Sequence, residues 1–131
     1  ASILDSVPVS LPGLMRAYRI SERAARAGFD WGDINGVEQK VEEEWSELKS
    51  ALAEKEPDHV SGEFGDVLFT LANVARFANI HPEMALSDAI RKFQERFKFM
   101  EKKISDQGRR IESVPQHEKD MLWEEAKKSI G

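Results

Sequence analysis

Apolar side chains recur at three- and four-residue spacing in five successive blocks, so the chain reads as helical throughout. In the first block Leu14, Met15, Tyr18 and Ala25 lie between a start signal at Ser10-Leu11-Pro12-Gly13 and a stop at Gly28, which predicts a helix over about 12–27. The second carries Val37, Val41, Trp45, Leu48 and Leu52 on one side and runs to about Ala53, with Asn35 and Glu38 spaced as a capping box. The third, from an N-cap at Asp58 beside Pro57 to Ala78, is apolar on nearly every side: Val60, Phe64, Val67, Leu68, Leu71 and Val74 are among its members. Such a helix belongs in an interior. The fourth starts at Ile80-His81-Pro82, with Pro82 suited to the first helical position, and ends at Gly108; its stripe includes Leu86, Ile90, Phe93, Phe97, Met100 and Ile104. The fifth begins at Ser113-Val114-Pro115 and runs to about Ser129, with Trp123 and Lys127 sharing a face. The expectation is an all-α bundle of about five helices, one domain over 1–131 with an extended lead-in at 1–10.

The polar residues on two of these helices change the picture. Glu38, Glu42, Glu43, Glu44 and Glu47 crowd one stretch of the second helix, where each like-charged i, i+4 pair opposes helix formation by about 0.2–0.5 kcal/mol. That density asks for a cation or full solvation. Fully solvated glutamates are common on surface helices, so this string alone decides little. The third helix decides more. Its polar exceptions Glu63, Asp66, Thr70 and Asn73 fall at i, i+3, i+7 and i+10, a narrow stripe on an otherwise apolar helix. A carboxylate in that setting takes up a proton or finds a partner, because an isolated buried charge costs several kcal/mol. Glu44 and Glu47 are one turn apart, as are Glu63 and Asp66, so two facing helices can present four carboxylates to one point. An all-oxygen set of that kind suits magnesium or manganese.

Composition narrows the class. A chain of 131 residues, 40% hydrophobic and 33% charged, is long enough for a real core. The net charge of -5 argues against a nucleic-acid polymer as partner, while a mononucleotide with bound metal stays compatible. Cysteine is absent, which removes disulfides and thiolate metal sites. No long apolar run or basic-then-apolar leader is visible, so the expectation is a cytoplasmic protein without membrane contact. Arg16, Arg19, Arg23 and Arg26 form a basic stripe on the first helix, either a solvated face or a counter-charge for phosphate or for the acidic helix. Lys92 and Arg96, at i, i+4, are placed to act together on one anion. Glu56-Pro57-Asp58-His59 has the ExxH form of di-iron bundles, but Pro57 interrupts the helix and no second ExxH exists, so a ferritin-like site is disfavoured. His81 and His117 have no metal-ligand spacing, and no phosphate-cradling glycine loop or nucleophile elbow is present.

Taken together, Glu43-Glu44-x-x-Glu47 and Glu63-x-x-Asp66 make the chain resemble a MazG-type nucleoside triphosphate pyrophosphohydrolase. Further matches are Leu14-Met15-Arg16-Ala17-Tyr18, Gly28-Phe29-Asp30-Trp31, Gly65-Asp66-Val67-Leu68-Phe69 with Asn73, the run from Lys92 to Phe97, and Trp123 with Lys127. The resemblance is closest to the C-terminal of the two domains in tandem MazG proteins, which fits either an excised domain or a one-domain version. It implies an all-α, homodimeric domain that uses magnesium, with manganese as a substitute, to split nucleoside triphosphates into monophosphate and pyrophosphate. By resemblance Glu44, Glu47, Glu63 and Asp66 are the metal ligands, with Glu43 supporting the site or orienting the water; spacing leaves open whether Glu43 or Glu47 takes the water proton. Lys92, Arg96, Trp123 and Lys127 hold the nucleotide, with Asn73 and Lys40 as lesser additions. Two alternatives stay open: a narrower dUTP, dCTP or phosphoribosyl-ATP hydrolase, and a non-catalytic nucleotide- or metal-binding dimerisation domain.

Overall fold

Each of the first four helices stops on a residue in the left-handed region: Gly28 at φ 94°, Lys55 at 59°, Asn79 at 58° and Gly108 at 72°. Around Gly28 the Phe29 N–H donates to the Ala24 carbonyl and the Gly28 N–H to the Ala25 carbonyl, the paired bonds of a Schellman ending. The same pattern recurs at Asn79, through Ile80 and Ala75, and at Gly108, through Arg109 and Ile104. In the computed structural model, which describes residues 1–131, the helices are α1 (Gly13–Arg26), α2 (Ile34–Glu54), α3 (Pro57–Phe77), α4 (Pro82–Asp106) and α5 (Gln116–Ser129). Short 3-10 turns occupy Ile3–Ser6 and Ile111–Ser113, and there is no strand. No helix is long and apolar enough to cross a membrane.

Several starts differ from the sequence reading, each for a local reason. At α2 the N-cap is Asp33, whose Oδ1 accepts the Gly36 N–H at 3.1 Å; the expected capping residue Asn35 lies inside the helix. At α3 the N-cap is Glu56 and Pro57 takes the first helical position, where its missing N–H costs nothing; Asp58 sits in the first turn. The lead-in is not extended, because Ser2 and Asp5 form a capping box that folds Ile3–Ser6 into a turn. The start of α1 is closed from a distance: Glu83, in the first turn of α4, accepts the Leu14 N–H at 3.0 Å.

The chain divides into two compact units, Ala1–Ala85 and Leu86–Gly131. In the first, α3 packs against both α1 and α2. Only Lys55 and Glu56 separate α2 from α3, so these two form a helical hairpin. Val37, Leu48, Ala51, Val67, Ala72 and Ala75 are buried there. The expectation that α3 is interior on all sides is only half met. Thr70 and Asn73 from its polar stripe are buried, while Phe64 and Leu71 keep 54% and 44% of their surface exposed. In the second unit Met100, Ile104, Val114 and Ala126 are buried, and the Phe93 and Trp123 rings lie 5.2 Å apart.

Candidate metal centre

The α2–α3 hairpin brings the two acidic clusters together. Glu44, Glu63 and Asp66 each offer a carboxylate oxygen, and these oxygens all lie within 4.8 Å of one another. Helical spacing places Glu63 and Asp66 one turn apart on α3, and the packing of α2 aims Glu44 inward, where it is 6% exposed. Glu47, the fourth acid expected from the sequence, is exposed and lies outside that set of three, close enough to feel its charge. The charge of Glu44 beside it, then desolvation and the charge of Glu63, holds the Glu47 carboxyl above its usual range. Only one cation on α2 answers these acids: Lys40 Nζ lies 3.0 Å from Glu44 Oε1 and 3.3 Å from Glu43 Oε1, and the hydrogen bond to Glu44 leads in raising its pKa.

Glu44 Oε2 and Glu63 Oε2 are buried and have no hydrogen-bond partner. Two unpartnered carboxylate oxygens are costly in an interior, and a hard divalent cation satisfies both at once. The residues therefore fit a metal, and the fit rests on the donor chemistry of this site.

His59 was set aside in the sequence as part of a failed ExxH, yet it belongs to this site. Its Nδ1 lies 3.0 Å from Glu54 Oε2, and its Nε2 lies 3.3 Å from Glu63 Oε1. The i, i+4 spacing of His59 and Glu63 was the available signal.

Other expected site residues fall elsewhere. Asn73 is 1% exposed; its amide donates to Ser21 Oγ at 3.1 Å and to the Phe69 carbonyl at 3.2 Å, and its Oδ1 accepts from Arg76 Nε and the Arg76 terminal nitrogen. Arg76 in turn makes a two-pronged bond to Asp30, at 2.6 and 3.0 Å. These groups line a cavity of about 490 Å³ together with Ile20, Trp31 and Phe69. In the second unit, Arg96 donates from Nε to the Ile130 carbonyl at 2.9 Å and stands 6.0 Å from the Trp123 ring centre. Lys127 pairs with Glu124 at 3.5 Å, and Lys92 is exposed. The arginine stripe of α1 does not meet the acidic helix: Arg19 and Arg26 approach Glu22 of their own helix, and Arg23 donates to the Ile3 carbonyl.

A strand-free fold that gathers carboxylates from a helical hairpin defines an all-α protein with an acidic cluster suited to a hard cation. The chain belongs to the MazG nucleotide pyrophosphohydrolase domain family, whose pattern matches residues 35–104, more than half its length and the whole acidic hairpin. It is 49% identical over 127 residues to the nucleoside triphosphate pyrophosphohydrolase/pyrophosphatase MazG of Thermotoga maritima, a match covering 97% of this chain and 49% of that protein. It is 36% identical over 129 residues to the nucleoside triphosphate pyrophosphohydrolase of Escherichia coli, with the same two coverages of 97% and 49%. A Bacillus subtilis protein, the uncharacterized YabN, is 42% identical over 130 residues, which is 98% of this chain and 27% of YabN. The chain thus spans about half the length of the two pyrophosphohydrolases it matches.

Proposed function

We propose that this chain is a magnesium-dependent nucleoside triphosphate pyrophosphohydrolase that cleaves NTP or dNTP into the monophosphate and pyrophosphate, as a house-cleaning enzyme of the nucleotide pool. The observation that carries the reading is the set of clustered oxygens of Glu44, Glu63 and Asp66, two of the three residues holding a buried oxygen without a partner. Similarity to two nucleoside triphosphate pyrophosphohydrolases over 97% of the chain supports the reaction class.

In this reading Glu44, Glu47, Glu63 and Asp66 hold the cation. Magnesium, when bound, supplies charge neutralisation at the phosphates and an acidified water. The new bond joins the water oxygen to the α-phosphorus; the bond from that phosphorus to the α–β bridging oxygen breaks, and pyrophosphate leaves with the electron pair. The proton from water passes to Glu47 or Glu43. Lys92, Arg96, Trp123 and Lys127 are assigned to the triphosphate and nucleoside. Arg96 keeps its terminal nitrogens for that task, since the bond to Ile130 uses Nε. Lys40 neutralises Glu44 and Glu43 at the rim of the site, and turning from them to a phosphate is within the reach of its flexible stem. Asn73 contacts a nucleotide only by exchanging a present partner for it, since both ends of its amide are engaged.

The same reading makes the protein a homodimer. Phe64, Leu68 and Leu71 expose an i, i+4, i+7 stripe on α3, and Trp45 and Leu52 expose a second on α2. A monomeric mass in sedimentation at micromolar concentration would refute that part alone.

The test is product analysis with a panel of ribo- and deoxynucleoside triphosphates, in magnesium and in EDTA, with Glu63→Ala as control. Monophosphate and pyrophosphate, lost in EDTA and in the variant, are expected. Release of orthophosphate, or metal-dependent nucleotide binding without cleavage, sinks the hydrolase reading.

A further inference from the structure

We infer that His59 is a positioning residue of the metal centre: its imidazole, tied to Glu54, holds one oxygen of Glu63 so that the other is presented to the cation. The inference rests on the metal reading above and adds to it a residue outside the ligand set.

Glu54 is the last residue of α2, and His59 lies in the first turn of α3. The ring spans that junction, with Nδ1 3.0 Å from Glu54 and Nε2 3.3 Å from Glu63. Both helices it ties carry ligands, Glu44 and Glu47 on one and Glu63 and Asp66 on the other. A free glutamate side chain samples many rotamers, and pinning one oxygen removes most of that freedom before a cation arrives. An ordinary surface i, i+4 pair leaves both carboxylate oxygens in water. Here the Glu63 side chain is 17% exposed, Oε1 lies 3.3 Å from His59 Nε2, and Oε2 is buried with no partner, the arrangement of a carboxylate held ready for one more contact. Partners that orient metal ligands in this way act through the ligand, and their loss weakens metal binding although they never touch the metal.

The same contacts could instead serve only to staple the hairpin. The two roles separate because the His59 side chain is 47% exposed, so its removal opens no cavity in the core. The test uses the full chain at one fixed pH without nucleotide, measuring Mn2+ affinity from the free-ion electron paramagnetic resonance signal and Tm in EDTA. His59→Ala is expected to weaken Mn2+ binding about tenfold or more. His59→Gln, which keeps an N–H donor within reach of Glu63, is expected to stay within about threefold of the parent chain. The inference is overturned if His59→Ala binds Mn2+ like the parent, or if His59→Gln is as weak as His59→Ala. Failure of the parent chain to bind Mn2+ removes the metal reading and this inference together, whereas unchanged binding by the alanine variant removes the inference alone.

Discussion

One polar stripe on α3 has two very different ends. Toward the C-terminal end, Asn73 is nearly inaccessible, yet it bonds to Ser21, Phe69 and Arg76, and Arg76 goes on to Asp30. Toward the N-terminal end, Glu63 and Asp66 meet Glu44, with two buried oxygens unpartnered and Glu47 pushed toward its protonated form. The first network is closed: every connection is made within the chain, and charge is matched by charge. The second is open, with more negative charge than Lys40 and His59 answer. A buried polar group whose partners are all present is architecture; one that lacks a partner is waiting for something the chain does not supply.

That contrast sets opposite signs for substitutions at the two ends, and the largest effect belongs to the open one. Glu63→Gln keeps the shape and the contact to His59 but removes one negative charge from the cluster. Under the proposed function, hydrolysis is expected to fall about a thousandfold, since one of the four carboxylates proposed to hold the cation is lost. In EDTA the same variant is expected to be more stable than the parent by about 1 kcal/mol, roughly 3–5 °C in Tm, the usual trade at a strained functional site. A lower Tm in EDTA would mean that the cluster is as self-sufficient as the Asn73 network, and the comparison fails.

Asn73→Ala tests the closed end and should only destabilise. It strips the hydroxyl of Ser21 and the guanidinium of Arg76 of a buried partner and leaves a small void, for an expected loss of about 2–4 kcal/mol in urea unfolding. Mn2+ affinity of the folded variant should be unchanged. A loss below about 0.5 kcal/mol would show that water replaces the amide without cost.

How much of this was legible beforehand follows from the range of the interactions. Gly28 and Gly108 announced helix ends because left-handed backbone is a local requirement. Glu44, Glu63 and Asp66 were legible because helical period and a hairpin suffice to bring them together. Asp33 as the cap of α2 was not, since Asp33 and Asn35 are both good caps and only the folded backbone chooses. The face of α3 was misread for a deeper reason. Hydrophobicity alone places the whole helix inside, whereas its packing against α1 and α2 buries Val67, Thr70 and Asn73 and leaves Phe64, Leu71 and Asp66 exposed. Arg76 with Asp30, 46 positions apart, left no pattern to read.

The smallest effect concerns that last pair and gives the comparison a pH axis. Asp30 is held below its ordinary value of 3.8, first by the hydrogen bonds from Arg76, against a smaller opposing cost of burial. A carboxyl with a depressed folded pKa binds its proton more tightly when unfolded. Its contribution to stability is therefore fully present above 3.8 and is lost as pH falls through the lowered folded value. Asp30→Asn removes the charge and keeps the size. Because the Asp30 side chain is 26% exposed, water screens part of the pair, and the expected cost near neutral pH is about 1–2 kcal/mol. Denaturant unfolding of parent and variant in EDTA should show that gap constant from pH 7 down to the ordinary range of an aspartate, then closing as acid protonates Asp30 in the parent. A gap that persists unchanged in strong acid would mean that the cost comes from the amide group set against the Arg76 guanidinium, with the carboxylate charge contributing nothing.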